Sequence, residues 1–560
     1  MPTTDERPDE AARRLLGLER LRPGQAEALE ATLEGRDVLA VMPTGHGKSA
    51  LYQVPGAVLG GVSLVVSPLL ALQRDQARFI GSTPALPRAW TLNSRTAAAT
   101  VRKMWSALEA GEPGFVFVTA EQLADEDLVT RLGRLELSQV VVDEAHCISA
   151  WGHDFRPDYL RLGGAVERLG HPRVVALTAT ASKPVRDEVV DRLGLRDPLV
   201  VVRGFDRPNL HLSVHRDVAD ADKRRHVVET VRELGGTGLV YVATRRDTTR
   251  YADELAGLGV NVAAYHGGMR SADRARTHER FTAKEVDVVV ATSAFGMGID
   301  RPDVRFVVHA SAPSDPDSYY QEIGRAGRDG EPAQAVLLYR PEDLGLHRFH
   351  SAATVDEQLL RRVLRVIRGG GGEGLTMTEL RRAVDGPART VTRLVNLLEL
   401  GGAVGVRRSR VRAVAQDDPT AVAAAVDAAE VRMRVERTRL EMMRGYAETS
   451  GCRRQFLLGY LGEQLEHPCG HCDRCEEAAA QAGVGDSHPE PRGDGTSADR
   501  SAGDSAPFPV NSRVTHTEWG DGVVLSTEED RLTVLFEREG YRVLSTEAVQ
   551  EESLLARSRS

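Results

Sequence analysis

The stretch Val140–Tyr159, VVVDEAHCISAWGHDFRPDY, decides how the rest of the chain is read. It opens on an apolar, β-branched run, Val140–Val142, the signature of a buried strand. That strand ends on two adjacent carboxylates, Asp143 and Glu144. In open α/β sheets ligands sit at the carboxyl ends of strands, and a paired Asp-Glu there suits a magnesium ion and an activated water. Just beyond come Trp151, His153, Phe155 and Tyr159, side chains suited to stacking on nucleic-acid bases. One short segment is therefore expected to touch both ATP and a nucleic acid. The competing readings are a solvated carboxylate pair capping a helix, and aromatic residues that are simply core.

Working outward, the same strand–loop–helix grammar recurs on both sides. Residues 10–35 read as helical around LRPGQ, Leu21–Gln25, followed by a strand at Asp37–Met42, a polar turn and a helix from Lys48. Further strands are expected at 64–69, 115–120, 140–146 and 174–181. After FDRPN (205–209) the alternation restarts at 238–246, 261–268, 286–300 and 304–311. Strands alternating with helices predict parallel sheets covered on both faces. Two α/β units of similar size fit this length better than one large sheet.

From about residue 345 the pattern changes. Residues 356–369 and 377–400 read as short amphipathic helices, Ala403–Val414 as a hairpin and 418–448 as a long helix. Residues 476–507 are rich in Gly, Ala, Ser, Pro and Asp and read as a linker. Residues 508–550 return to strand alternation, with turns expected at Gly520–Gly522, Glu528–Asp530 and Glu539–Gly540, a small β-barrel or sandwich. The expected division is 1–205 and 206–344 for the two α/β domains, 345–417 for an insert, 418–477 for a helical module, 478–507 for the linker and 508–552 for the barrel.

Composition sets bounds on this reading. Apolar residues make up 41% and charged residues 27% of the 560 residues, ordinary for a globular protein. No apolar run reaches the roughly 18 residues of a membrane span, and the N-terminus lacks a signal-peptide core, so a cytoplasmic protein with no membrane association is expected. The net charge of −9 does not announce a nucleic-acid partner, but binding needs a local basic patch rather than a basic total. Only five of the 72 basic residues are lysines. Arginine suits bidentate phosphate contacts, although a GC-rich genome would give the same bias.

The turn Thr44-Gly45-His46-Gly47-Lys48-Ser49 lies between strand and helix. Its glycines let backbone N–H groups approach a β-phosphate, and the helix start favours the anion. Lys48 would reach the β- and γ-phosphates, and Ser49 would hold magnesium. The strict phosphate-loop pattern also asks for Gly where Met42 stands, so a chance turn is the alternative. Asp143 would complete the magnesium shell, and Glu144 would polarise the attacking water. Arg325 and Arg328, in QEIGRAGRDG, could neutralise transition-state charge or form a basic helix face.

Of five cysteines, Cys452, Cys469, Cys472 and Cys475 cluster, the last three as C-x-x-C-x-x-C. Four thiolates at such spacing suit a tetrahedral structural zinc; His467 and His471 are surplus ligands. Cys147 stands alone and reads as packing.

The ordered set LRPGQ, MPTGHGKS, SPLLALQRDQ, DEAHCISAWGHDFRPDY, LTATA, FDRPN, YHGGM, ATSAFGMGID and QEIGRAGRDG resembles the RecQ family of superfamily 2 DNA helicases. The likeness covers roughly Leu15 to Tyr339 and resumes at Gly445–Cys475, where CRRQFLLGYLGE…PCGHCDRC is similar to that family's zinc subdomain. The resemblance implies two RecA-like domains with ATP between them. It implies that Arg22 and Gln25 read adenine, and that Thr44 to Ser49, Asp143, Glu144 and Gln321 serve the nucleotide site. It assigns an arginine finger to Arg328, with Arg325 beside it. It assigns His146 and the run Trp151 to Arg156, including His153 and Phe155, to a loop coupling DNA binding to hydrolysis. The family's usual adenine-stacking aromatic is replaced by Leu18.

The chain departs from the family in two places. A winged-helix-like insert is expected before the zinc module, with Arg407, Arg408, Arg410 and Arg412 in its wing, either on DNA phosphates or as a solvated face. The C-terminal segment, HTEWGDGVV then VLFEREGYRVL, resembles the Tudor-like tail of UvrD/PcrA-type helicases, which implies a protein partner such as RNA polymerase or a repair factor. The expected fold is α/β: two RecA-like domains, a winged-helix-like insert, a helical zinc-binding module and a small C-terminal β-barrel. The expected activity is ATP-dependent, 3′–5′ unwinding of duplex DNA in repair or recombination, by translocation on single strand, using ATP, Mg²⁺ and Zn²⁺ near the nucleoid. The alternatives are an ATP-gated DNA-remodelling factor recruited through its tail, and an RNA helicase.

Overall fold

The structure is a computed structural model. It describes residues 7–43, 45–93, 96–149, 156–217, 219–296, 301–345, 355–384, 386–407, 410–414, 418–483, 508–509, 512–527, 531–536, 538–551 and 554–557. The chain folds into two compact units, Met1–Gly204 with Ala352–Met433, and Phe205–Ser351 with Arg434–Ser560.

The first unit is built on a seven-stranded parallel sheet: β1 Val38–Val41, β2 Val62–Val66, β3 Arg88–Thr91, β4 Gly114–Val118, β5 Leu137–Val142, β6 Arg173–Thr178 and β7 Leu199–Val202. Their order is β3-β4-β2-β5-β6-β1-β7. The central strands are buried and mostly apolar, as expected of a parallel sheet covered on both faces. Strand β1 lies beside β6, which lies beside β5, so the turn after Met42 and the carboxylates after Val142 leave the same edge of the sheet.

This unit also contains the insert. Helix Glu357–Gly369, β14 Leu375–Thr376, helix Met377–Ala383, helix Ala388–Leu400, β15 Val404–Arg407 and β16 Arg410–Ala413 follow in that order, with sheet order β14-β16-β15. Helix–strand–helix–helix–strand–strand is the winged-helix arrangement expected from the sequence. It has its own core around Leu360, Leu364, Leu380, Leu394 and Leu398.

The second unit carries a six-stranded parallel sheet, β8 Leu210–Arg216, β9 Gly238–Tyr241, β10 Val262–Tyr265, β11 Val288–Ala291, β12 Phe306–His309 and β13 Ala333–Tyr339, in the order β10-β11-β9-β12-β13-β8. The zinc-module helix Arg453–Tyr460 and the helix Asp473–Gly483 cap its β8 edge. Arg453, fully buried, donates to Asp473 at 2.6 Å, and Asp473 accepts from the Val214 N–H at 2.9 Å. Arg454 donates to Leu210 O at 2.8 Å. The edge strand, a liability if bare, is thereby covered.

The same unit includes a five-stranded antiparallel sheet, β17 Arg513–His516, β18 Gly520–Thr527, β19 Arg531–Phe536, β20 Gly540–Ser545 and β21 Leu555–Arg557, in the order β20-β19-β18-β17-β21. Two sequence expectations need correction here. Gly520–Gly522 lie inside β18 rather than in a turn, because Gly522 faces Phe536 across the sheet and has no room for a Cβ, which would lie 2.6 Å from the ring. The helix Asp473–Gly483 also runs past residue 478, where linker was expected to begin.

Candidate functional site

The phosphate loop is held from below by the segment before the first sheet. Gln25 accepts from the Arg22 N–H at 2.8 Å and donates to His46 O at 2.8 Å and Gly47 O at 3.2 Å. Arg22 donates to Gly45 O. Gly45 and Gly47 have φ of 81° and 80°, the left-handed region glycine tolerates. A Cβ on Gly47 would lie 2.8 Å from Gln25 Nε2, so loop and Gln25 are fitted to each other. Lys48 Nζ donates to Met42 O at 2.7 Å and Pro43 O at 3.3 Å. Ser49 opens the helix Ala50–Val58, and the Leu18 side chain, where an aromatic was expected, packs against the apolar core.

Asp143 is tied at three points. Its carboxylate accepts from Ser67 Oγ at 3.3 Å and from the Glu144 N–H at 3.0 Å, while its carbonyl accepts from Tyr159 Oη at 3.2 Å. Burial, and next the charge of Glu144, push the Asp143 carboxyl up to about 7, against the pull of the Lys48 ammonium. Glu144 has a left-handed backbone, φ 50°, and its Oε2 is buried without a hydrogen bond. Two half-buried carboxylates beside the Ser67 hydroxyl form an oxygen donor set that fits a hard divalent cation such as Mg²⁺.

His146 is buried and links this pair to the next strand. Its Nδ1 lies 2.8 Å from Thr178 Oγ1 and 3.3 Å from Glu144 Oε2. Thr178 in turn donates to Thr180 O at 3.0 Å. Arg156 N–H donates to Cys147 O at 2.9 Å, and its guanidinium donates to Pro68 O at 3.3 Å. The segment between His146 and Tyr159 is thus fastened at both ends to the strands that carry Asp143 and Thr178. Thr44, Trp151, His153 and Phe155 lie outside the described residues, as do Arg408 and residues 484–507 of the expected linker.

In the second unit, Gln321 lies on the helix Pro316–Ile323, just before Arg325 and Arg328. Arg325 is buried and donates to Gly296 O; a Cβ on Gly296 would lie 2.3 Å from that guanidinium. Arg328 is half-buried.

The four cysteines come together as expected. Their sulfurs all lie within 4.8 Å of one another, with Cys469 and Cys475 3.9 Å apart. A tetrahedral zinc with bonds of about 2.3 Å places its sulfurs about 3.8 Å apart. Backbone N–H groups of Cys469 and His471 donate to Cys452 Sγ at 3.3 Å and Cys469 Sγ at 3.4 Å, which suits thiolate ligands. His467 and His471 are not needed to complete the set.

Sequence reading missed Ser67, Thr178 and the Tyr159–Asp143 bond. The SPLL and LTATA motifs were visible, but only the sheet order shows that their hydroxyls reach Asp143 and His146. Among the described residues no helix is long and apolar enough to cross a membrane.

Comparisons with known proteins agree with this geometry. Family models described as DEAD/DEAH box helicase, helicase conserved C-terminal domain and RecQ zinc-binding match residues 22–188, 222–330 and 408–476. Residues 512–553 match a model described only as a protein of unknown function (DUF3553). The chain is 35% identical over 469 residues to "Probable ATP-dependent DNA helicase RecS" of Bacillus subtilis, covering 81% of this chain and 90% of that protein. It is 32% identical to "ATP-dependent DNA helicase RecQ" of Pasteurella multocida, covering 83% of this chain and 62% of that one. Among solved structures it is similar to the DUF1998 helicase MrfA bound to DNA (TM-score 0.52, 17% identity, 75% of this chain and 64% of that chain), a likeness of fold. With its helicase and zinc-binding matches in the expected order and a relative matched over nine-tenths of its length, the chain belongs to the RecQ family of superfamily 2 helicases.

Proposed function

We propose that the chain is an ATP-dependent DNA helicase that couples hydrolysis to 3′–5′ movement on single strand, unwinding duplexes in repair or recombination on the nucleoid. The observation that carries the coupling is the fastening of the segment after Glu144, with His146 on Thr178 at one end and Tyr159 on Asp143 at the other. A base stacking on Trp151 or Phe155 would pull on these fastenings and set Glu144 for catalysis.

In this reading Arg22 and Gln25 select adenine and Lys48 binds the β- and γ-phosphates. Ser49 and Asp143 would hold Mg²⁺, which when bound polarises the γ-phosphate. Glu144 orients the attacking water and takes its proton, with His146 holding the carboxylate. Gln321 and Arg328 would serve the transferring group, and Arg325 braces Gly296. Cys452, Cys469, Cys472 and Cys475 hold zinc as a structural centre, which contributes folding energy rather than chemistry. Residues 508–552 offer a surface to a protein partner, RNA polymerase or a repair factor.

Trp151→Ala separates coupling from nucleotide binding. ATP affinity should persist while DNA-stimulated hydrolysis falls to the basal rate; unchanged stimulation would sink the coupling role.

A further inference from the structure

The C-terminal sheet is not packed only on itself. The turn between β19 and β20 lies on the helix Asp418–Glu448 and the zinc-module helix Arg453–Tyr460. Gly540, with φ 75°, sits so close that a Cβ would lie 2.2 Å from Thr438 Oγ1. The next residue, Tyr541, donates its N–H to that same Thr438 Oγ1 at 3.0 Å. Its ring stacks on Tyr460 with centroids 5.1 Å apart and planes at 21°, and its hydroxyl donates to Tyr460 Oη at 3.1 Å. Arg434 pairs with Glu539 and donates to Arg538 O, closing the rim of the contact.

The chain of contacts does not end at Tyr460. Its hydroxyl donates to Asp317 Oδ2 at 2.5 Å. Asp317 lies in the first turn of the helix Pro316–Ile323, next to Asp315, whose carboxylate caps that helix by accepting from the Ser318 N–H at 2.7 Å. Both carboxylates are 5% exposed, and Arg439, 6% exposed, supplies the compensating charge. Burial alone would lower the Arg439 pKa, but the surrounding Tyr460, Tyr541, Asp317 and Asp315 more than offset it and hold the guanidinium charged. Removing one member of such a buried charged group leaves the others uncompensated, so the group holds this geometry only while it is complete.

We infer that the C-terminal sheet is a cis clamp on the second helicase domain, with Tyr541 the positioning residue that sets the helix Pro316–Ile323 through Tyr460 and Asp317. One turn further along, this helix carries Gln321 and leads into Arg325 and Arg328. The inference rests on the assignment of those residues to hydrolysis. It gives residues 512–553 a role within the enzyme, separate from any partner they recruit.

The test uses the full chain. Tyr541→Ala should speed hydrogen exchange in residues 315–323 and lower kcat for DNA-stimulated hydrolysis by about tenfold, the rate equivalent of a neutral hydrogen bond and the ring stacking lost together, with KM for ATP unchanged. Tyr541→Phe keeps the stacking, removes only the hydroxyl and guards against misfolding; it should lower kcat by about threefold with an unaltered melting temperature. Unchanged exchange in 315–323, or unchanged kcat in both variants, would overturn the clamp. Arg328→Ala is the control: if it hydrolyses ATP normally, the assignment of the arginine finger has failed instead.

Discussion

At the scale of residues, Gly47 shows how little slack the phosphate loop has. Its left-handed backbone and the 2.8 Å approach to Gln25 leave no room for a methyl group. Gly47→Ala should weaken ATP binding about tenfold or more, from strain of about 1–3 kcal/mol; a fluorescent-nucleotide titration reads this directly, and wild-type affinity would show that the loop relaxes. Thr178→Ala should leave that affinity intact but reduce DNA stimulation, since His146 loses its partner on β6; equal stimulation in the variant and wild type would remove His146–Thr178 from the coupling path. Gly45 to Ser49 and Asp143–Glu144 were legible in the sequence because each set of chemical groups is contiguous. Ser67 and Thr178 were not, because strand order alone brings them to Asp143 and His146; Tyr159, read as a base-stacking side chain, is instead buried at 1% exposure with its hydroxyl on Asp143 O, which corrects that expectation. The different settings of the two arginines were also hidden: Arg325 is buried on the Gly296 carbonyl, while Arg328 is only half-buried.

At the scale of elements, the strands read from sequence were the apolar central ones and the edge strand β10. Strands β3, β7 and β8 escaped notice. The first two are edge strands with partly exposed residues, and β8, LHLSVHR, alternates apolar and polar positions before the zinc module covers it. Strand β13, AQAVLLY, is apolar enough to have been found, and no physical reason hid it. The winged-helix insert was legible from its helix spacing, but the use of its arginines was not. Arg410 donates to Gly374 O at 2.8 Å and Arg412 to Glu373 O at 3.3 Å, so these two wing residues brace the insert itself. The insert is further joined to the first domain by Arg161, which donates to both carboxylate oxygens of Glu399 at 2.9 and 2.6 Å. This pair is largely buried and bidentate, the geometry in which an ion pair matters. Arg161→Ala and Glu399→Ala should each destabilise the docked insert by about 1–3 kcal/mol, and the double variant by no more than either single one. Additive shifts in the melting transition would mean that the two side chains act independently.

At the scale of the molecule, chain order and spatial grouping differ. The insert folds with the first RecA-like domain together with residues 418–433, which corrects the expected boundary at 417/418, whereas the zinc module from Arg434 onward and the C-terminal sheet fold with the second. Composition marks where modules change but says nothing about which earlier module a later one rests on. The zinc centre is central to the second grouping, because Cys472 bridges Leu212 of β8 and Asp473 holds both Arg453 and Val214. Removing zinc with a chelator should lower the melting temperature by about 5 °C or more and loosen the β8 edge; a protein that releases stoichiometric zinc and melts unchanged would show that the four cysteines are not structural. The C-terminal sheet is equally part of this unit, so a pull-down of partners belongs on the full chain, where Tyr541 is covered.

In the proposed function, ATP hydrolysis at Lys48, Asp143 and Glu144 drives strand separation of DNA. Strand displacement on 3′-tailed DNA, 5′-tailed DNA and RNA duplexes, with wild type beside Lys48→Ala, tests it most directly. Wild type should displace the 3′-tailed DNA duplex in an ATP-dependent way, with little displacement of the 5′-tailed or RNA substrates, and Lys48→Ala should displace none. DNA-stimulated hydrolysis without displacement of any duplex, or displacement that survives Lys48→Ala, would contradict it.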